Sequence, residues 1–168
     1  MIIDSFRFLP RSFRSMYDNP VRLPGETEDV WAAPTRRLSE SRIALLSSAG
    51  LYLDGDQDPF DAERERQEPT WGDPTHRVLP ASLEGRRLGM THLHLNTDNV
   101  LADPEIALPL AGLAALAAEG RIGSVAPSHY SVMGYQQAGL EVWRNETAPA
   151  IIGRLREEAV DGVVLAPA

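Results

Sequence analysis

The chemistry open to this chain is set by four histidines, sixteen arginines, and the complete absence of lysine and cysteine. Without lysine there is no Schiff-base or lysine-base route. Without cysteine there is no thiol nucleophile or thiolate metal site within these residues. Imidazole, carboxylate, hydroxyl and guanidinium groups remain, and three stretches concentrate them. The first is Met90-Thr91-His92-Leu93-His94-Leu95-Asn96. Its alternation reads as a strand with His92, His94 and Asn96 on one face and Leu93 and Leu95 on the other. Two imidazoles at i, i+2 can share a metal, with Asp98 and the distant His129 as further ligands. The plainer reading is strand histidines hydrogen-bonded in a polar cleft, and no metal is expected.

The second stretch runs from Trp71 to Pro80 and holds Asp73, His76 and Arg77 among turn formers. These three side chains can converge on an anion or orient one another. Alternatively, Asp73 caps the turn and Arg77 pairs with a surface acid. The third, Ser128-His129-Tyr130-Ser131-Val132-Met133-Gly134-Tyr135, gathers hydroxyls, an imidazole and a thioether in what reads as a loop, the usual place for function on a rigid scaffold. No nucleophile triad follows, since no acid partner is fixed by sequence. Ser47-Ser48-Ala49-Gly50 ends an apolar run in small residues, so Ser47 and Gly50 are expected to form a wall that a ligand approaches. Asp54, Asp56, Asp58 and Asp61 do not make a calcium loop, because Gly55 and Pro59 are misplaced and no bidentate Glu follows. Glu63-Arg64-Glu65-Arg66 reads as a solvated face.

These groups need elements to carry them. Arg42 to Ser48 is a short continuous apolar run suited to a strand buried on both faces. Asp103-Pro104-Glu105 signals a helix start, Ile106, Leu110, Leu113, Leu116 and Ala117 repeat at helical spacing, and Gly120 ends it. Residues 121–127 form a short connection or strand. A last helix, about Ala148 to Ala159 with Ile151, Ile152 and Leu155 inward, feeds Asp161-Gly162-Val163-Val164-Leu165-Ala166-Pro167-Ala168, read as a buried parallel strand. The order predicts an α/β fold: a mostly parallel open sheet with flanking helices, flavodoxin-like or a related doubly wound arrangement. Residues 1–40, broken by Pro10, Pro20, Pro24 and Pro34, form an irregular N-terminal arm, and 41–168 form the domain. A net charge of −8 argues against nucleic acid as a partner. No apolar run approaches the roughly 20 residues of a membrane span. Residues 1–13 show no apolar core of a signal peptide, so the cytoplasm is expected.

Together the segments Ile43 to Leu51, Gly72 to Pro80, His92 to Asn96, Gly120 to Ser124 and His129 to Gly134 resemble the short members of the glycine/sarcosine/betaine/D-proline reductase component B family, over roughly residues 36 to 168. The resemblance implies that the terminal strand leads into a redox motif of selenocysteine or cysteine, two spacers and a cysteine. The chain ends just before that position, so truncation at a recoded UGA is expected, with selenocysteine directly after Ala168 in a full-length form. The implied function is a selenol- or thiol-dependent oxidoreductase acting on a small molecule, commonly at a carbon–nitrogen bond, and regenerated by a thiol redox partner. The 168-residue chain alone is then expected to be inactive. His92, His94, His129 and Tyr130 are candidates for protonating a leaving group. Ser47, Gly50, Asp73, His76, Arg77, Asn96 and Ser131 are candidates for binding substrate. A companion subunit or a homo-oligomer is expected, because a truncated sheet exposes an edge that self-associates. The alternatives are a cysteine-free module that binds a small molecule or partner at the same strand ends, and a histidine metal site.

Overall fold

The computed structural model describes residues 32–68, 71–93, 95–135 and 140–168. The aromatic-rich arm up to Trp31, and His94, therefore lie outside the described residues. The compact unit is Pro34–Ala168.

Among the described residues, seven strands and four α-helices of six residues or more, with shorter helical turns between them, make up this unit. The centre is β1, Arg42–Ser47, flanked on one side by β5 (Ser124–Val125) and β6 (Ser128–Val132) and on the other by β7 (Gly162–Ala166). All three run parallel to β1. Beyond β6 lies β3, His76–Pro80, antiparallel to it. A separate antiparallel pair joins β2 (Leu51–Leu53) to β4 (Leu88–Met90). This is the expected α/β architecture with a mostly parallel sheet.

Alternation along β1 divides the interior in two. Ile43 and Leu45 belong to the larger core, with Leu51, Leu79, Val100, Leu108 and Leu113. Leu46 faces a smaller core of Tyr130, Val132 and Ile151. Helices supply both covers: α2 (Thr97–Ala102) and α3 (Leu110–Ala118) on the first, α4 (Ala148–Glu157) on the second. Each fully buried leucine stabilises the fold by about 1.5–3 kcal/mol.

Several elements depart from the sequence reading. The 103–117 helix is split: Asp103 caps a 3₁₀ turn, Pro104–Ile106, and α3 starts only after Pro109. Proline cannot continue the i→i−4 ladder, which explains the break. Gly120 ends the helix with φ +67°, as expected. The 71–80 stretch is a turn only at first, then β3. A short helix α1, Ala62–Gln67, stands where a solvated charged segment is expected, and its inward Glu65 is buried. Before α4, Trp143–Thr147 is π-helical. Pro149 has no N–H to give to the carbonyl four residues back, and the widened turn accommodates its ring. In α4 Ile151 is buried but Ile152 is exposed. The largest reversals concern Ser128–Val132, a fully buried strand rather than a loop, and β7, whose Val163, Val164 and Leu165 are exposed rather than buried.

Candidate active site at the carboxyl edge of the sheet

β1, β6 and β7 all deliver their carboxyl ends to one edge, where an open α/β sheet puts its ligands. The Ser48 N–H donates to the Ala166 carbonyl (3.2 Å), and the Ala168 N–H donates to Ser48 Oγ (2.9 Å). The end of β7 is thereby pinned to the end of β1. Gly134 lies on the other side of Ser48: a Cβ built on it would stand 3.4 Å from Ser48 Cβ. A cavity of about 60 Å³ opens beside this edge, lined by Glu65, Trp71, His92, Met133, Gly134 and Tyr135 among others.

His92 reaches the cavity from the segment after β4. That strand stops at Met90, and residues 91–93 and 95–96 are not strand, so among the described residues the expected 90–96 strand does not form and His92 and Asn96 do not share a strand face. Two demands end the strand. Gly50, at φ +65°, donates to the Val132 carbonyl (3.0 Å) and accepts from the Thr91 N–H (2.9 Å), which turns the chain at Thr91. Asn96 then caps α2, accepting from the Asp98 and Asn99 N–H groups at 3.1 and 3.3 Å. Gly50 is a wall, but what approaches it is the Thr91 carbonyl, 2.0 Å from where a Cβ would stand.

The remaining candidates scatter. His129 is fully buried in β6, and its Nδ1 accepts from the Leu45 N–H at 2.9 Å. The register gives the cause: Ile43 pairs with Val125 but Leu46 with Tyr130, so Ala126 and Pro127 are extra and Leu45 has no strand carbonyl opposite. The imidazole takes that carbonyl's place, which puts its proton on Nε2. Burial lowers the His129 pKa, while the Glu158 carboxylate and the Ala126 backbone act in the opposite direction. Ser131, on the same face, accepts from the Leu51 N–H through Oγ (2.7 Å). Ser47 Oγ accepts from the Ala49 N–H (3.2 Å). Tyr130 points into the smaller core, its hydroxyl buried without a hydrogen-bond partner among the described residues, and burial raises its pKa.

Asp73, His76 and Arg77 do not converge. Buried Asp73 accepts from the Asp61 and Thr75 N–H groups, each at 2.9 Å, and locks the start of α1 to the approach to β3. His76 tilts against Tyr130, with ring centroids 6.3 Å apart, and its pKa is lowered by burial first, then by Arg77 and Arg154. Arg77 stacks on Phe60 at 4.2 Å and donates to the carbonyls of Asp58 and Pro59. It clamps a loop. No group of three or more His, Cys, Asp or Glu among the described residues is arranged to hold a metal ion.

Glu65 was hidden inside a charged run. Its Oε1 accepts from the Asp73 N–H at 3.2 Å, which fixes it at the cavity. The available signal was Ala62, the lone apolar position of that short helix, with Glu65 one turn on and hence on the same inward face.

An α/β sheet with a small cavity at its carboxyl edge, an imidazole and a carboxylate in the lining, and a strand end delivered beside them is a candidate small-molecule site. The family is shown by sequence: residues 13–168 match the glycine/sarcosine/betaine reductase selenoprotein B family, and the chain belongs to it. The match begins well before residue 36, so much of the arm is part of the family's sequence and not an addition to it. The chain is similar to the D-proline reductase subunit gamma of Acetoanaerobium sticklandii, 28% identical over 145 residues that cover 86% of this chain and 56% of the relative. It is also similar to the betaine reductase complex component B subunit beta of Peptoclostridium acidaminophilum, 31% identical over 134 residues, 80% of this chain and 29% of the relative. The chain thus spans about half or less of the length of these relatives. No solved structure matches it. No described helix is long and apolar enough to cross a membrane.

Proposed function

We propose that this chain is the substrate-facing part of a reductase B-type subunit, with its reaction at the carboxyl edge between the ends of β1, β6 and β7. One observation carries the reading: the Ala168 N–H bonds to Ser48 Oγ, beside Gly134, at the rim of the cavity that His92 lines. The family's description as a selenoprotein suggests a selenol, and we propose that a selenocysteine or cysteine stands directly after Ala168 in a full-length form. The edge offers such a group a polar contact, because Ser48 Oγ stands at the end of β1 beside Gly134 of the cavity lining. A selenolate or thiolate there supplies a two-electron nucleophile.

The residues of this chain do the rest. His92 holds the proton that a departing nitrogen must receive. Glu65 and the rings of Trp71 and Tyr135 form the wall that orients a small substrate with a carbon–nitrogen bond. His94, outside the described residues, is proposed as a second proton donor on the strength of the sequence alone. Recycling by a thiol partner suits the reducing cytoplasm. A companion subunit is proposed because both relatives are named as subunits.

Selenium analysis of the protein isolated from its own cells, together with the coding sequence beyond the Ala168 codon, tests the redox group. A selenocysteine or cysteine within the next few positions is expected, and a continuation with neither overturns the proposal. In the assembled reductase, His92→Gln is expected to lower kcat by roughly 10²-fold or more. Unchanged turnover removes His92 from the chemistry.

A further inference from the structure

A second cleft lies at the other end of β6. That strand runs from Ser128 to Val132, about 16 Å of extended chain, and the His92 cavity begins just past it. The second cleft begins at Pro127 and Ser128 and is an open depression of about 390 Å³, room for a small molecule. Leu53, Val78, Pro80 and Pro127 give it an apolar floor. Its charged rim comes from Arg86, Arg154 and Glu158. It shares no lining residue with the first cavity and has no part in the chemistry above.

An account of its polar groups shows which remain unspent. Glu158 is engaged by three donors: Oε1 accepts from Ser128 Oγ (2.6 Å) and Arg154 Nε (3.2 Å), and Oε2 from the Ser128 N–H (3.2 Å). Ser128 Oγ, which donates to Glu158, also accepts from Arg154 Nε at 3.0 Å. Arg154 is therefore held by its Nε alone, and its terminal nitrogens have no hydrogen-bond partner among the described residues. Arg86 spends one terminal nitrogen on Asp56, at 3.2 Å on the exposed rim. A guanidinium carries five N–H donors, so both arginines keep donors to offer, while the acceptors of the cleft are already taken. A ligand that complements unspent donors above an apolar floor is an acceptor with an apolar body.

We propose that this cleft is a second binding site, for a small anion with an apolar body, its carboxylate or phosphate held by the free edges of Arg154 and Arg86. The inference stands whether or not the reductase reading does.

Isothermal titration of the purified protein with phenylacetate, phenyl phosphate, benzylamine and benzyl alcohol tests it. Saturable binding of at least one of the two anions is expected, with the amine and the alcohol weaker by about tenfold or more. The tighter of the two anions identifies the head group as carboxylate or phosphate. Arg154→Gln and Arg86→Gln are each expected to weaken that anion by roughly fivefold or more. Arg154→Gln also disturbs the Ser128–Glu158 pair, so Arg86→Gln, on the exposed rim and checked by circular dichroism, decides the matter. Absence of saturable binding of both anions to the native protein, or unchanged binding in Arg86→Gln, overturns the proposal.

Discussion

β6 and β7 flank the same strand, run in the same direction and are equal in length, yet their composition and their burial are opposed. Ser-His-Tyr-Ser-Val is buried at all five positions, whereas Gly-Val-Val-Leu-Ala leaves its three large apolar residues exposed, Leu165 to 69%. Strand order explains this. β6 lies between β1 and β3, with α4 over one face and the β2–β4 pair near the other, so whatever it carries is enclosed. β7 pairs only with β1, and no described strand pairs with its outer edge. Three polar residues inside β6 are each matched to a specific group, His129 Nδ1 to the Leu45 N–H, Ser131 to the Leu51 N–H and Ser128 to Glu158, whereas His129 Nε2 and the Tyr130 hydroxyl are buried without a hydrogen-bond partner among the described residues. Buried polar groups are tolerated when they are hydrogen-bonded. The polar strand therefore stabilises the sheet, and the apolar one contributes less than its composition suggests.

The contrast is most readily broken at His129. His129→Ala opens a cavity in β1–β6 and leaves the Leu45 N–H without its acceptor, so urea unfolding should show a loss of about 3–5 kcal/mol. A loss below about 1 kcal/mol would mean that the imidazole is not part of the sheet, and would return it to the pool of candidate catalytic groups. The same residue sets a pH dependence. Its folded-state pKa lies below the ordinary value of about 6.5, so the unfolded chain binds the proton more readily. Its stabilising contribution is complete above about pH 6.5 and falls with acid by up to about 1.4 kcal/mol per pH unit until the folded-state pKa is reached. His76 is shifted in the same direction and adds to the slope. His129→Gln, which keeps an acceptor for Leu45 but cannot titrate, should remove the His129 part of the slope between pH 6.5 and 5; an unchanged slope contradicts the assignment.

The contrast also shows what the sequence could disclose. β1 was legible because a continuous apolar run bounded by small residues has few readings other than a doubly covered strand. The crossover helix after Asp103 was legible in outline, though Pro109, in plain view, should have split it. The carboxyl-edge rule and the strand ends point to the candidate cavity, but of its lining residues only His92 was a candidate by sequence. Nothing local in Ser128–Tyr135 shows that a two-residue register gain at Ala126–Pro127 deprives Leu45 of a partner and recruits His129. Glu65 was missed because, in a run of charges, only the helical phase set by Ala62 marks the inward position. Asp73 and Arg77 lie close in sequence, yet alternation and the two loops they fasten send them to different places.

The smallest effect belongs to β7. At Leu165, the most exposed large apolar side chain in the described residues, little surface leaves water on folding, so little hydrophobic stabilisation is at stake. Threonine is β-branched and suits an edge strand, and the backbone pairing of Leu165 with Leu46 does not depend on the side chain. Leu165→Thr should change the unfolding free energy of this chain by less than about 0.5 kcal/mol, an order of magnitude below His129→Ala. A loss of about 1.5 kcal/mol or more would mean that Leu165 is covered when the chain folds in solution, and the contrast between the two strands would then vanish. The two variants measured side by side therefore separate burial imposed by strand order from burial expected of composition, since the first ranks His129 far above Leu165 and the second reverses them.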